Sequence, residues 1–362
     1  MYINGFNGRD IMVLAVKERG ELAEPRPRAE SLSLNIRNLL LAEITRDVLT
    51  EAPLIRELAE RIRSEMEVVP LRKREAYTWV AGVDAGSQVI PMASRQYAVI
   101  SALVYTLPQG GRFYLPPESM CEPYSVGGGF AGSVNLRREA RLYETAREFL
   151  LGGREVELML VDGPLALSGW WGAAGCEEDR RRLVDALNGL LRVCRDRGVT
   201  VAGVVKRPSA RYLVHYLGLG AETDLSDSYL MHQTLMPGER TDVFSPRTAM
   251  RMASRGSQMM DVVQEPVYGF YCRLTRGWDV PPIRVDLPAF CLGAVDDVAD
   301  YCYATSLWSG IPLPIVRADE EVKVSRRFIG DVYSEIISRV GRETGDVSPL
   351  APYWGEGEWM VG

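Results

Sequence analysis

Two stretches of this chain place an acid at the end of an apolar, strand-like run. The first, from Tyr77 to Ser87, is Tyr-Thr-Trp-Val-Ala-Gly-Val-Asp-Ala-Gly-Ser. Its β-branched and aromatic residues predict a buried strand that ends on Asp84, with Ala85, Gly86 and Ser87 as a turn. The second, from Val156 to Leu165, ends the same way on Asp162, followed by Gly163 and Pro164. Burying an unpaired carboxylate costs several kcal/mol, so a core strand tipped with aspartate needs a partner or a cation. Two such tips suggest one shared cation, and the rest of the chain must then bring them together.

The other residue types narrow the chemistry. Only two histidines occur, His215 and His232, far apart, which removes most histidine-rich zinc sites and leaves a serine–histidine–aspartate triad a single base. The six cysteines are scattered without a Cys-x-x-Cys pair, against a disulfide scaffold or zinc ribbon. Chemistry must therefore lean on carboxylates, which suit Mg²⁺ or Mn²⁺. Four of the 42 basic residues are lysine (Lys17, Lys73, Lys206, Lys323) and the rest arginine. That excess reads as codon bias or a thermophilic surface ahead of a phosphate-binding code. The net charge of −6 argues mildly against a nucleic-acid partner, although an acidic total can hide a basic groove. No run of about 18 apolar residues is present, so no membrane span is expected. The N-terminus has no secretory pattern, so a cytoplasmic protein is the default.

Read in order, residues 1–70 form an N-terminal arm and two amphipathic helices divided by Pro53, available to a second subunit or a partner. Residues 71–345 hold the main domain. After the Asp84 strand come Gln96–Thr106 and Gly111–Leu115 as a meander, a loop over Pro116–Gly132, and a helix over Asn135–Leu151 whose apolar stripe has Glu144 beside it. The Asp162 strand, a small-residue loop Ser168–Gly175, a helix Glu177–Arg197 and a strand Val199–Val205 follow, delivering Lys206. Helices and loops fill 209–262. Tyr268–Arg276 and Pro282–Leu287 read as a hairpin, Val298–Ser309 and Phe328–Val340 as helices, and 346–362 as a tail. The fold class is α/β: a mixed sheet with an antiparallel start and parallel crossovers, flanked by helices, with helical and hairpin additions.

Acids at two strand tips and on the intervening helix can meet at one sheet edge and hold divalent cations for phosphodiester cleavage. Asp84, Glu144 and Asp162 are so placed, and Lys206 stands where it can contact a scissile phosphate. Each has a plainer reading: turn caps for the aspartates, a solvated helix face for Glu144, a surface lysine for Lys206. Asp227 reads as a helix cap or a site residue.

The ordered set Val83-Asp84-Ala85-Gly86-Ser87, Glu144, Leu160-Val161-Asp162-Gly163-Pro164-Leu165 and Val205-Lys206-Arg207 resembles the NurA nucleases of archaea and some bacteria. Ser226-Asp227-Ser228, Pro237-Gly238-Glu239-Arg240-Thr241 and Gly310-Ile311-Pro312-Leu313-Pro314 through Asp319 extend the match over roughly residues 75–330. The resemblance implies a ribonuclease-H-like core, Mn²⁺-dependent 5′–3′ exonuclease and single-strand endonuclease activity, and a homodimer. It also implies a partner, the hexameric HerA ATPase, in resection of DNA double-strand breaks. Asp84, Glu144 and Asp162 would be the metal-binding acids. Asp319 stands where the family commonly has a histidine ligand, and Ile311 where it commonly has an aromatic residue. These two departures keep an alternative open, an adaptor with decayed catalysis that docks on DNA or a ring ATPase. A small-molecule hydrolase built on the Ser168–Gly175 loop is a remote third reading, lacking a paired base.

Overall fold

The computed structural model describes residues 29–91, 95–123, 129–167, 176–253, 261–323 and 326–350. The N-terminal arm before Ala29, the Ser168–Gly175 loop and the tail beyond Leu350 lie outside them. The chain divides into a compact unit over Met1–Arg56 and a second over Glu57–Gly362. The two helices expected around Pro53 are one, α1 (Ala29–Glu65), with the proline inside it. In the first unit this helix exposes Leu39, Leu40, Ile44 and Leu49. No helix among the described residues is long and apolar enough to cross a membrane.

The second unit is built on a ten-stranded sheet: β1 (Val68–Pro70), β2 (Val80–Pro91), β3 (Arg95–Leu107), β4 (Arg112–Tyr114), β5 (Glu118–Pro123), β6 (Leu158–Val161), β7 (Thr200–Val205), β8 (Glu239–Thr241), β9 (Val267–Arg273) and β10 (Ile283–Pro288). Their order is β1-β8-β9-β10-β7-β6-β2-β3-β4, with β5 also on the outer edge of β3. Only β2–β6 and β6–β7 are parallel pairs. The antiparallel start β2-β3-β4 followed by parallel β6 and β7 is the ribonuclease-H-like arrangement, and the expected β9–β10 hairpin extends the sheet beyond β7. The segment expected as a loop after Pro116 contains β5, paired with β3 from Arg95 to Ile100. The supposed arm contributes β1, paired with β8.

Helices cover both faces. Helix α2 (Phe130–Leu151), between β5 and β6, packs Phe130 and Val134 on Ala98 and Ile100 of β3. Helix α3 (Glu177–Arg197) lies against α2, carries Leu183, Leu187, Leu190 and Leu191 buried, and stops at Gly198 in the left-handed region. The short helices α4 (Tyr212–Tyr216), α5 (Asp227–Thr234) and α6 (Pro246–Met252) precede β9, and α7 (Val295–Thr305) follows β10. On the opposite face from α2, α8 (Leu313–Val322) sets Ala318 and Val322 against Leu103, and α9 (Arg326–Thr344) sets Ile329 and Tyr333 against Ile90. The alternation of β3 side chains assigns these two faces.

Strand β2 does not turn after Asp84. It runs on to Pro91, paired with β3 throughout. The run Ala85-Gly86-Ser87 is small because α8 lies directly over it. A Cβ on Gly82 would collide with the Pro314 carbonyl, and one on Gly86 would stand 2.9 Å from the Val322 carbonyl oxygen. The glycines therefore serve close helix–strand approach rather than chain reversal.

Candidate metal centre

Strand β6 stops at Val161, opposite Val83, while β2 continues. Asp84 thus stands inside its own strand but at the rim of the parallel sheet, next to Asp162, and alternation points it to the α8 side with Gly82 and Gly86. Helix α8 brings Asp319 to the same point. Carboxylate oxygens of Asp84, Asp162 and Asp319 all lie within 4.8 Å of one another. Lys206, immediately beyond β7, places Nζ 2.6 Å from Asp162 Oδ2 and 3.3 Å from Asp319 Oδ1. Lys323 reaches Asp319 Oδ2 at 2.5 Å. The group opens into a cavity of about 350 Å³ that Glu139 and Arg138 also line. Four of the five residues singled out from the sequence therefore meet.

Glu144 lies elsewhere. Its two carboxylate oxygens take hydrogen bonds of 2.7 and 2.8 Å from Arg182, which also binds Glu118. The acid that α2 turns toward the cluster is Glu139, five residues earlier and about 140° away around a helix of 3.6 residues per turn. Glu139 is buried, with Oε1 2.8 Å from Arg138 Nη2. Its Oε2 has no hydrogen-bond partner among the described residues and lies over Gly163, beside Asp162. An acid within the apolar stripe Leu136, Ala140, Tyr143 is the available signal, since a solvated glutamate belongs on the other face.

The charges are strongly perturbed. Burial, then the negative charge of Asp162, pushes the Asp84 carboxyl up to about 8, against the pull of Lys206 and the Ala85 N–H. Burial likewise raises Asp162 and Glu139, with Lys206 and Arg138 opposing. At Asp319 burial is outweighed by Lys323 and Lys206, and its carboxyl is held below the usual range. Lys206 is raised, because the three aspartates outweigh its own desolvation. Four carboxyls converge while their nearest cations offset only part of the charge, and one buried carboxylate oxygen is orphaned. A hard divalent cation fits this donor set.

The Asp162 loop is fixed from both sides. Tyr143 of α2 donates its hydroxyl to the Pro164 carbonyl. Asp286 of β10 accepts the Leu165 and Ala166 N–H groups at 3.1 and 3.2 Å, and is itself held by Arg284 Nε at 2.7 Å. Asp286 and Arg284 are both buried. Sequence reading misses this pair, although Arg-x-Asp inside an apolar strand puts two opposite charges on one face. Asp227 stands outside the cluster as a buried cap. It accepts the Leu213 and Val214 N–H groups of α4 and the Tyr271 hydroxyl.

A family model described as the NurA domain matches residues 80–324, more than half of the chain. Among solved structures, the fold is similar to the crystal structure of the NurA nuclease from Sulfolobus solfataricus, with a TM-score of 0.61 and 17% identity over 85% of this chain and 98% of that one. A crystal structure of NurA with manganese matches with a TM-score of 0.53 and 12% identity, over 86% of this chain and 99% of that one. A further NurA crystal structure gives a TM-score of 0.54 at 12% identity, over 86% of this chain and 99% of that one. No curated protein sequence matches significantly.

Proposed function

Since this chain belongs to the NurA domain family, we propose that it is a Mn²⁺- or Mg²⁺-dependent DNA nuclease that hydrolyses phosphodiester bonds. The finer reading is a homodimeric 5′–3′ exonuclease and single-strand endonuclease, working with a HerA-type ATPase in end resection. The observation that carries the chemistry is the convergence of Asp84, Asp162 and Asp319 within 4.8 Å, with Lys206 among them. That convergence supports catalysis over the adaptor reading, since a decayed site has no reason to keep four costly carboxyls at one rim. The exposed apolar side chains of α1 support a subunit or partner contact.

Asp84, Asp162, Asp319 and Glu139 would hold the metal. A bound divalent ion supplies a more acidic water and a counter-charge for the leaving oxygen. Lys206, whose ammonium stands among these acids, would contact the scissile phosphate, orient the diester and offset the charge that builds on it. The buried clamp of Tyr143 and Asp286 keeps Asp162 at a fixed position during this exchange of charge. The test is cleavage of labelled single-stranded DNA with Mn²⁺ by wild type and Asp84→Ala. The variant should lose more than the roughly 10–100-fold that removal of a mere supporting partner costs. Unchanged degradation by Asp84→Ala rejects the site, and an inert wild type rejects the nuclease reading.

Metal binding should also depend on pH with a definite sign. With Asp84 pushed up to about 8, it holds its proton at mildly acidic pH, and a metal must expel it. Mn²⁺ affinity should therefore rise by up to about tenfold per pH unit between roughly pH 6 and 8. Titration calorimetry in two buffers of different ionisation enthalpy should show proton release that Asp84→Asn reduces. Without added metal, the raised carboxyl contributes stability that is complete below its unfolded value and fades as pH climbs through about 8. Thermal melts should record that decline, and Mn²⁺ should reverse it.

A further inference from the structure

Trp278 and Trp308 are 85% and 86% exposed, unusual for the largest side chain. Neither tip is slack. The Trp278 turn is closed by Val280 N–H to the Gly277 carbonyl, and its backbone at Trp278 and Val280 meets His232 of α5. The Trp308 turn is closed by Gly310 N–H to the Leu307 carbonyl at 2.9 Å, and Leu307 N–H to Ile311 at 3.2 Å. The two turns pack together where a Cβ on Gly310 would stand 2.8 Å from Val280 Cγ1 and 3.2 Å from Thr275 Cγ2.

Their place in the fold relates them to the metal centre. Arg284 of β10 pairs with Val205, so the Trp278 turn leads into the strand that begins beside the end of β7, next to Lys206. The Trp308 turn leads directly into α8, which carries Asp319. Two exposed cations, Arg207 after Lys206 and Arg276 beside Trp278, carry no ion pair among the described residues. The core of a protein interface is contiguous, apolar and poor in charge. Trp278 is flanked by Arg276, Gly277 and Asp279, and Trp308 by Ser309, Gly310 and the exposed Leu307, a small apolar surface interrupted by charged and polar residues. Exposed planar faces with adjacent cations fit unpaired nucleobases, each face taking a base while the arginines meet phosphates.

Resting on the nuclease reading of the neighbouring site, we propose that Trp278 and Trp308 form a stacking platform for the bases of single-stranded DNA outside the metal centre. The platform takes unpaired bases of any sequence, because every base offers a π-face.

The test is fluorescence-anisotropy titration of the full chain with a labelled single-stranded oligonucleotide, without divalent metal. Each Trp→Ala change should weaken binding about fivefold to a hundredfold, and Trp→Tyr should restore most of it. Thermal melts of the same variants confirm folding. Trp→Ala should leave the salt dependence of binding as it was, while Arg207→Ala and Arg276→Ala should each lower its slope by about 0.7. A strand of abasic sites should bind wild type as weakly as the intact strand binds the double Trp→Ala variant. An unchanged dissociation constant in that variant overturns the proposal. So does wild type that binds abasic and intact strands equally, or a double variant that loses assembly mass by light scattering while binding DNA normally. A wild type that binds the strand but never cuts it with Mn²⁺ refutes the nuclease reading and leaves the platform standing.

Discussion

Glu139→Gln is expected to remove Mn²⁺-dependent cleavage, while Glu144→Gln leaves it near the wild-type rate. The two acids share one helix, but Glu139 is buried with an orphaned oxygen over Gly163, and Glu144 is neutralised by Arg182. A glutamine in place of Glu139 keeps the shape and the length of the side chain but cannot supply an anionic ligand. The loss should therefore exceed the roughly 10–100-fold of an outer-shell change. Stability separates the pair a second way. Burial penalises the Glu139 charge, so the metal-free Glu139→Gln protein should melt no lower than wild type, and its stabilisation by Mn²⁺ should shrink. Glu144→Gln breaks a half-buried ion pair and should cost about 1 kcal/mol in urea titrations. The reverse pattern, with Glu144 essential and Glu139 dispensable, would return the role to the residue the sequence suggests.

Asp286→Ala should be the most destabilising single change, by about 3–5 kcal/mol, since it leaves Arg284 charged and unpaired in the core. It also strips the acceptor from two buried N–H groups of the Asp162 loop. The double change Arg284→Met with Asp286→Leu removes both charges and should recover much of the loss. It cannot satisfy Leu165 and Ala166, each costing about 1–3 kcal/mol. Guanidinium titration measures the first effect. A Mn²⁺ affinity that stays low in the double variant measures the second, because stability alone would have been repaired. Full recovery of both would mean that the clamp has no bearing on Asp162.

Much of this arrangement is legible in the sequence because the relevant signals are local. The apolar runs before Asp84 and Asp162, the glycine that ends α3, and the turn between β9 and β10 each announce themselves within a few residues. Lys206 follows from its place after a buried strand. The misreadings have a common cause, which is that small and charged residues look alike in sequence whether they face water or a packed neighbour. Ala85-Gly86-Ser87 resembles a turn because nothing local reveals α8, more than two hundred residues later, lying against it. Sequence favours Glu144 over Glu139 because helix phase alone does not show Arg182 and Glu118 occupying that side. Pro53 looks like a boundary, yet α1 continues past it. Arg284 and Asp286 escape notice because a buried ion pair is defined by tertiary enclosure.

The seat of Asp319 on α8 sets an order on the life of the chain. Asp84, Glu139 and Asp162 leave the ribosome early and can settle on their own strands and helix. The fourth acid arrives only after Leu313–Val322 has been made and has closed against the glycines of β2. If the proposed assignment holds, a copy that stops before this helix lacks one of the four acids and should bind Mn²⁺ more weakly than a chain that includes it.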